Sequence, residues 1–194
     1  MKKKTILEKR LSVPGKLCEG ITLREGLYLL KPFTHYKNEK LFLTDGMYWM
    51  NVTEEATEDF VCIDEKLQDD FIEISPLRKI YEIHTHLCPY NPPSFADIDS
   101  SGYFQKELKI EGKKGIWMAI EPLGVWQYNA KPGTFACPMK FLSEKEYEER
   151  EKYFDKETFV EKSMVKNLDE RIQRTIEAFD YFEVKLLFWP FEKI

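Results

Sequence analysis

Of the three histidines in the chain, His84 and His86 are separated by a single residue, and Ser94 and Asp97 follow shortly after in the stretch YEIHTHLCPYNPPSFAD. An extended strand projects residues i and i+2 from the same face, so the two imidazoles can aim at one point. With the Asp97 carboxylate they offer two nitrogens and one oxygen. That set suits a catalytic zinc whose fourth position is left for water. Such an ion acidifies its water and polarises a scissile carbonyl. Hydrolysis then needs a second carboxylate that does not ligate the ion but takes a proton and returns it to the leaving amine. Glu82 shares the histidine face by strand alternation. Cys88 extends that alternation, and a thiolate is a good zinc ligand, but Pro89 interrupts the strand, which favours reading Cys88 as a small buried or loop thiol. His35 has no link to the motif.

The elements that must position these residues can be read from local patterns. KIYEIHTH reads as a strand, and Ser94-x-x-Asp97 has capping-box spacing, which starts a helix over residues 95–108. GIWMAIEP and GVWQYNA read as strands flanking Pro122-Leu123-Gly124, their Trp117, Trp126 and Tyr128 filling the core. Upstream, residues 5–13 carry β-compatible side chains and end at Pro14-Gly15, which predicts a first strand. Thr22 and Glu25 form a second capping box, opening a helix that stops near Lys31 because Pro32 disfavours continuation. EKLFLTDGMYWMNV has β-formers on both sides of Asp45-Gly46, a hairpin signal. TEEATED, residues 53–59, reads as a solvated loop and FVCID as a strand. EKLQDDFIEIS is open between a helical turn and a strand.

From residue 142 the pattern becomes helical. Ser143 and Glu146 repeat the capping-box spacing, and Val160, Met164, Leu168, Ile172, Ile176 and Phe179 recur at helical intervals. VKLLFWPF reads as a terminal strand. Strands surrounding helices in this order predict an α+β or α/β sandwich. Residues 1–141 form its main domain, and residues 142–194 form a helical extension packed on the same domain.

At 194 residues, 43% hydrophobic and 32% charged, the chain can bury one substantial core. Its net charge of -5 and pI near 5.4 argue against nucleic acid as a partner. No run of about 18 apolar residues is present, so no membrane partner is expected, and a cytoplasmic location is. The four cysteines, Cys18, Cys62, Cys88 and Cys137, include no CxxC pair and read as free thiols.

The full pattern, His84-x-His86, seven residues, Ser94, two residues and Asp97, resembles the JAMM motif of the JAB/MPN metalloprotease family, in particular its prokaryotic-type members. The resemblance spans residues 5–130 and is densest from Tyr81 onward. It implies a JAB/MPN-like, cytidine-deaminase-like mixed sheet flanked by helices. It further implies zinc on His84, His86 and Asp97, and stabilisation of the reacting centre by Ser94. The activity implied is cleavage of a peptide or isopeptide bond after the C-terminus of a ubiquitin-like protein. The family's proton-shuttling glutamate corresponds to Glu39, which follows the first helix and precedes the apolar run Lys40-Leu41-Phe42-Leu43. Lys40, Leu41 and Phe42 stand where the family usually has small residues, and Leu87 where it usually has proline. Two other readings stay open: an inert binding module of the same fold, and another metal hydrolase, such as one acting on phosphate esters.

Overall fold

The computed structural model describes residues 2–57, 60–130, 143–158 and 167–194. Nine strands and six α-helices are found there. Seven strands form one sheet in the order β1-β3-β2-β6-β7-β8-β9. These are β1 (Cys18–Glu19), β2 (Leu41–Thr44), β3 (Tyr48–Asn51), β6 (Lys79–Thr85), β7 (Lys114–Glu121), β8 (Gly124–Ala130) and β9 (Val184–Pro190). All neighbours are antiparallel except β6 and β7, which run parallel with His84 beside Ala119. A parallel pair needs a crossover, and helix α4 (Phe95–Ile110) supplies it. The site residues therefore fall at the C-terminal end of a βαβ unit, where open sheets commonly bind ligands.

Helices cover both faces, as alternating strand side chains require. One face buries Phe42, Trp49, Ile83, Met118 and Ile120 under Leu11 of α1 (Lys2–Leu11) and Leu27 and Leu30 of α2 (Leu23–Leu30). The other face, which carries His84, buries Leu43, Trp117, Trp126 and Tyr128 with residues of four more helices. Phe71 comes from α3 (Glu65–Ile74), Ile98 from α4, Phe154 from α5 (Glu144–Thr158) and Phe179 from α6 (Leu168–Tyr181). The chain is thus a mixed α+β protein with a mixed sheet between helices.

Local chemistry explains most of these elements. Thr22 accepts from the Glu25 amide while Glu25 accepts from the Thr22 amide, the capping box that opens α2. The Asp45 carboxylate accepts from the amides of Met47 and Tyr48 at 2.8 Å and closes the β2–β3 hairpin, with Gly46 at φ +93°. Asp64 caps α3 by accepting from the Leu67 amide, which settles EKLQDDFIEIS as helix. Ser143 and Glu146 cap α5, and β9 pairs with β8 along its whole length. Of the helical stripe expected from Val160 to Phe179, Val160 and Met164 lie outside the described residues, as does Cys137.

Two expectations are corrected. The strand expected over residues 5–13 is helix α1. Its Lys, Glu, Leu and Arg residues are good helix formers, and Lys9 and Arg10 suit the negative end of the helix. Leu7 and Leu11, four apart, share the face that packs on the core. The loop expected over residues 53–59 instead begins with strand β4 (Thr53–Ala56), which pairs with β5 (Val61–Ile63) in a small second sheet. Residues 58 and 59 lie outside the described residues. Glu54 and Glu55 point to solvent there, so acidic composition marked an exposed strand rather than a loop.

Gly26 lets α2 approach the sheet closely. A Cβ at this position would come within 2.0 Å of the Trp49 ring, whose Nε1 is tied to the Ile21 carbonyl at 3.0 Å and cannot easily yield. Gly26→Ala is therefore expected to destabilise the protein by about 1–3 kcal/mol or more through overpacking. Chemical denaturation of the two proteins measures this directly.

Candidate metal centre

The His84 and His86 side chains are buried, leaving the end of β6 on the face that α4 covers. Antiparallel pairing of Leu41 with His84 sets the neighbouring chain in register. Beyond that pair, the Thr85 amide donates to the Lys40 carbonyl and the Lys40 amide donates to Thr85 Oγ1. Carried two residues further, this register would set Glu39 opposite His86 on the same face, where its charge helps to raise His84. Helix α4 delivers Asp97 from the other side of the loop.

Three donors converge. His84 Nε2 lies 2.9 Å from His86 Nε2, Asp97 Oδ1 lies 3.4 Å from His84 Nε2, and Asp97 Oδ2 lies 3.6 Å from His86 Nε2. Ligands bound about 2.0–2.2 Å from a tetrahedral ion are separated by roughly 3.3–3.6 Å. The two nitrogen–oxygen separations, one to each oxygen of the carboxylate, are of that size, the nitrogen pair is a few tenths of an ångström tighter, and one ligand atom from each residue lies within 4.8 Å of the others. Among the described residues these three side chains form the group that could hold a metal ion.

The surroundings prepare each donor. A backbone carbonyl cannot donate, so the 2.7 Å contact between His86 Nδ1 and the Asn91 carbonyl places a proton on Nδ1, which in the neutral ring leaves the lone pair on Nε2. Ser94 opens α4 as expected, accepting from the Asp97 amide at 3.2 Å. Its own amide and hydroxyl both donate to Asp97 Oδ2, at 2.7 and 2.8 Å. The serine thus orients the carboxylate that faces the imidazoles. Tyr128, read from sequence as core, is buried edge-on to His84 with ring centroids 6.3 Å apart.

Charge is strongly coupled here. Burial opposes a charged His84, but the Asp97 carboxylate, by charge and hydrogen bond, overrides it with help from Glu39 and Glu82 and lifts His84 to about 9. Burial likewise opposes a charged Asp97, yet His84 and His86 hold its carboxyl well below the usual range. Burial pushes Glu82 up to about 7, against the opposing pull of His84. A proton on His84 competes with an ion for the same lone pair. Metal affinity is therefore expected to rise with pH, about tenfold per unit up to about pH 9, with close to one proton released from His84 per ion bound at neutral pH. Zinc titrations in buffers of different ionisation enthalpy measure that proton count.

Glu39 is buried, and its charge raises His84 more than that of Glu82 does. Glu82 pairs with Leu43, two residues further back along β6. Cys88 is exposed and outside the donor group, as is His35. Two residues that sequence reasoning did not single out also matter, Asn91 and Glu121. The Asn91 amide donates to Glu121 Oε2 at 2.8 Å while its carbonyl holds His86. An acid ending the apolar strand GIWMAIE was the available signal, but its meaning depends on the parallel pairing of β6 and β7.

Fold and site together define a mixed α+β protein whose buried His84 and His86, with the half-buried Asp97, could hold a metal ion. None of its described helices is long and apolar enough to cross a membrane. The chain matches no protein-family model, and no curated protein matches it significantly.

Proposed function

We propose that the chain is a zinc-dependent peptidase or isopeptidase of JAB/MPN type that cleaves after the C-terminal tail of a ubiquitin-like protein. The observation carrying this reading is the convergence of His84, His86 and Asp97 at the end of β6, with Ser94 both capping α4 and holding Asp97. The spacing that resembles the JAMM motif thus coincides with a compact donor set.

Zinc bound by these three residues would supply Lewis acidity, making water a better nucleophile and polarising the carbonyl. The chain's own groups do the rest. Glu39, opposite His86, takes a proton from the attacking water and delivers it to the departing amine, so that the C–N bond breaks with a neutral leaving group. Asn91 keeps the His86 tautomer, and Ser94 keeps Asp97 turned toward the imidazoles. With its proton on Asp97, the Ser94 hydroxyl must turn if it is to donate to the developing oxyanion. A cleft of about 340 Å³ borders Ser94 between Pro92 and Pro93 on one side and Phe154 and Arg171 on the other. Through Ser94 and Asn91 it reaches the residues that orient Asp97 and His86, and it gives a substrate chain room to lie there.

The test is a panel of ubiquitin-like fusions and isopeptide conjugates incubated with the zinc-loaded protein. Cleavage at the modifier's C-terminus, abolished by chelation and restored by zinc, supports the reading. Zinc bound at one per chain without cleavage of any member would instead support an inert module of the same fold.

A further inference from the structure

His86 is fixed by a chain of contacts that reaches across the sheet. Its Nδ1 donates to the Asn91 carbonyl at 2.7 Å, and the Asn91 amide donates to Glu121 Oε2 at 2.8 Å. Glu121 is the last residue of β7 and is wholly buried. Because β7 runs parallel to β6, its carboxylate arrives at the same end of the sheet as His86, whose own amide donates to the Ile120 carbonyl at 2.8 Å.

Burying a carboxylate is costly, and this one is met by donors from the loop and the sheet: the Asn91 amide donates to Oε2, with the Tyr90 amide and the Trp126 indole beside the carboxylate. The loop that Glu121 holds also needs fastening. Between His86 and Asn91 the backbone passes through Tyr90 at φ +62°, a left-handed conformation that bulky residues rarely adopt. A buried acid grips the far side of that bend.

We propose that Glu121 is a positioning residue for the metal centre. Acting through the two peptide groups of Asn91, it holds the loop where the Asn91 carbonyl keeps His86 protonated on Nδ1, with the Nε2 lone pair aimed at the ion. The inference rests on the metal-binding reading above. Its working part is the reach of an acceptor oxygen, not the negative charge, because the link to His86 runs through neutral peptide units.

Two substitutions in the full chain separate reach from charge. Glu121→Gln keeps an acceptor at the same distance without the charge, and Glu121→Asp keeps the charge but withdraws it by one methylene. Zinc affinity is measured by competition with a chromophoric chelator, and the His86 tautomer by nitrogen NMR of the metal-free protein. Glu121→Gln is expected to bind zinc within about threefold of wild type and to keep the Nδ1–H tautomer. Glu121→Asp is expected to bind about 10–100-fold more weakly, as loss of an outer partner does, and to show mixed tautomers. Wild-type behaviour of Glu121→Asp, or an equal loss in Glu121→Gln, would overturn the proposal. Should Glu121→Asp not fold, the wild type still decides: its Asn91 amide must exchange slowly with solvent, and rapid exchange overturns the assignment. Absence of zinc binding by wild type would sink the metal reading instead, leaving the tautomer measurement to judge Glu121.

Discussion

Glu39→Gln is expected to keep its zinc and lose turnover by about 10²–10⁴-fold, the range that a positioned general base contributes. The substitution preserves size and one acceptor oxygen, and Glu39 lies outside the group of donors that converge on the ion site. Metal content should therefore match wild type. Glu82→Gln provides the contrast. Its carboxyl is also near His84, but it pairs with Leu43 rather than opposite His86. Single-turnover rates on a cleavable fusion, measured beside metal content, distinguish the two acids. If Glu82→Gln abolished turnover and Glu39→Gln did not, the roles assigned above would exchange.

His86→Ala is expected to have the opposite signature, losing the metal and turnover together. It removes a ligand itself, so the fall in zinc affinity should exceed the roughly 10–100-fold produced when only an outer partner is lost. Thermal unfolding offers a reading independent of activity. Zinc at about 100 times its dissociation constant stabilises a folded protein by about 2.7 kcal/mol, which raises the wild-type midpoint. The same zinc concentration should leave the His86→Ala midpoint almost unmoved. Each midpoint is read against that protein's own metal-free state, because the variant also loses the 2.9 Å hydrogen bond between the two Nε2 atoms and the His86 link to the Asn91 carbonyl. A midpoint of His86→Ala that rose with zinc as much as wild type would place the ion elsewhere.

The parts of the site that could be read from sequence are those governed by short-range periodicity. Residues two apart on a strand share a face, and a serine three residues before an acid caps a helix. His84, His86, Ser94 and Asp97 obey these rules, so their elements and mutual approach were legible. The same holds for the Thr22–Glu25 box and the Asp45-Gly46 hairpin. Helix α1 was not, because Thr5, Ile6 and Val13 suggested a strand while the decisive spacing of Leu7 and Leu11 acquires meaning only against the core they join. Strand β4 was hidden for a related reason, since an exposed edge tolerates Glu54 and Glu55 as readily as a loop does. Glu121 and Asn91 lie furthest from sequence reach. They are 30 residues apart, and they meet only because α4 returns the chain to lay β7 parallel to β6. Long-range pairing of that kind leaves no local pattern.

Zinc-edge X-ray absorption on the loaded protein tests most directly whether His84, His86 and Asp97 share one ion. The proposed site predicts four nitrogen or oxygen neighbours at about 2.0–2.2 Å, with the multiple scattering of two imidazoles and no sulfur. A sulfur shell near 2.3 Å, a single imidazole, or a spectrum unchanged in His86→Ala would contradict it.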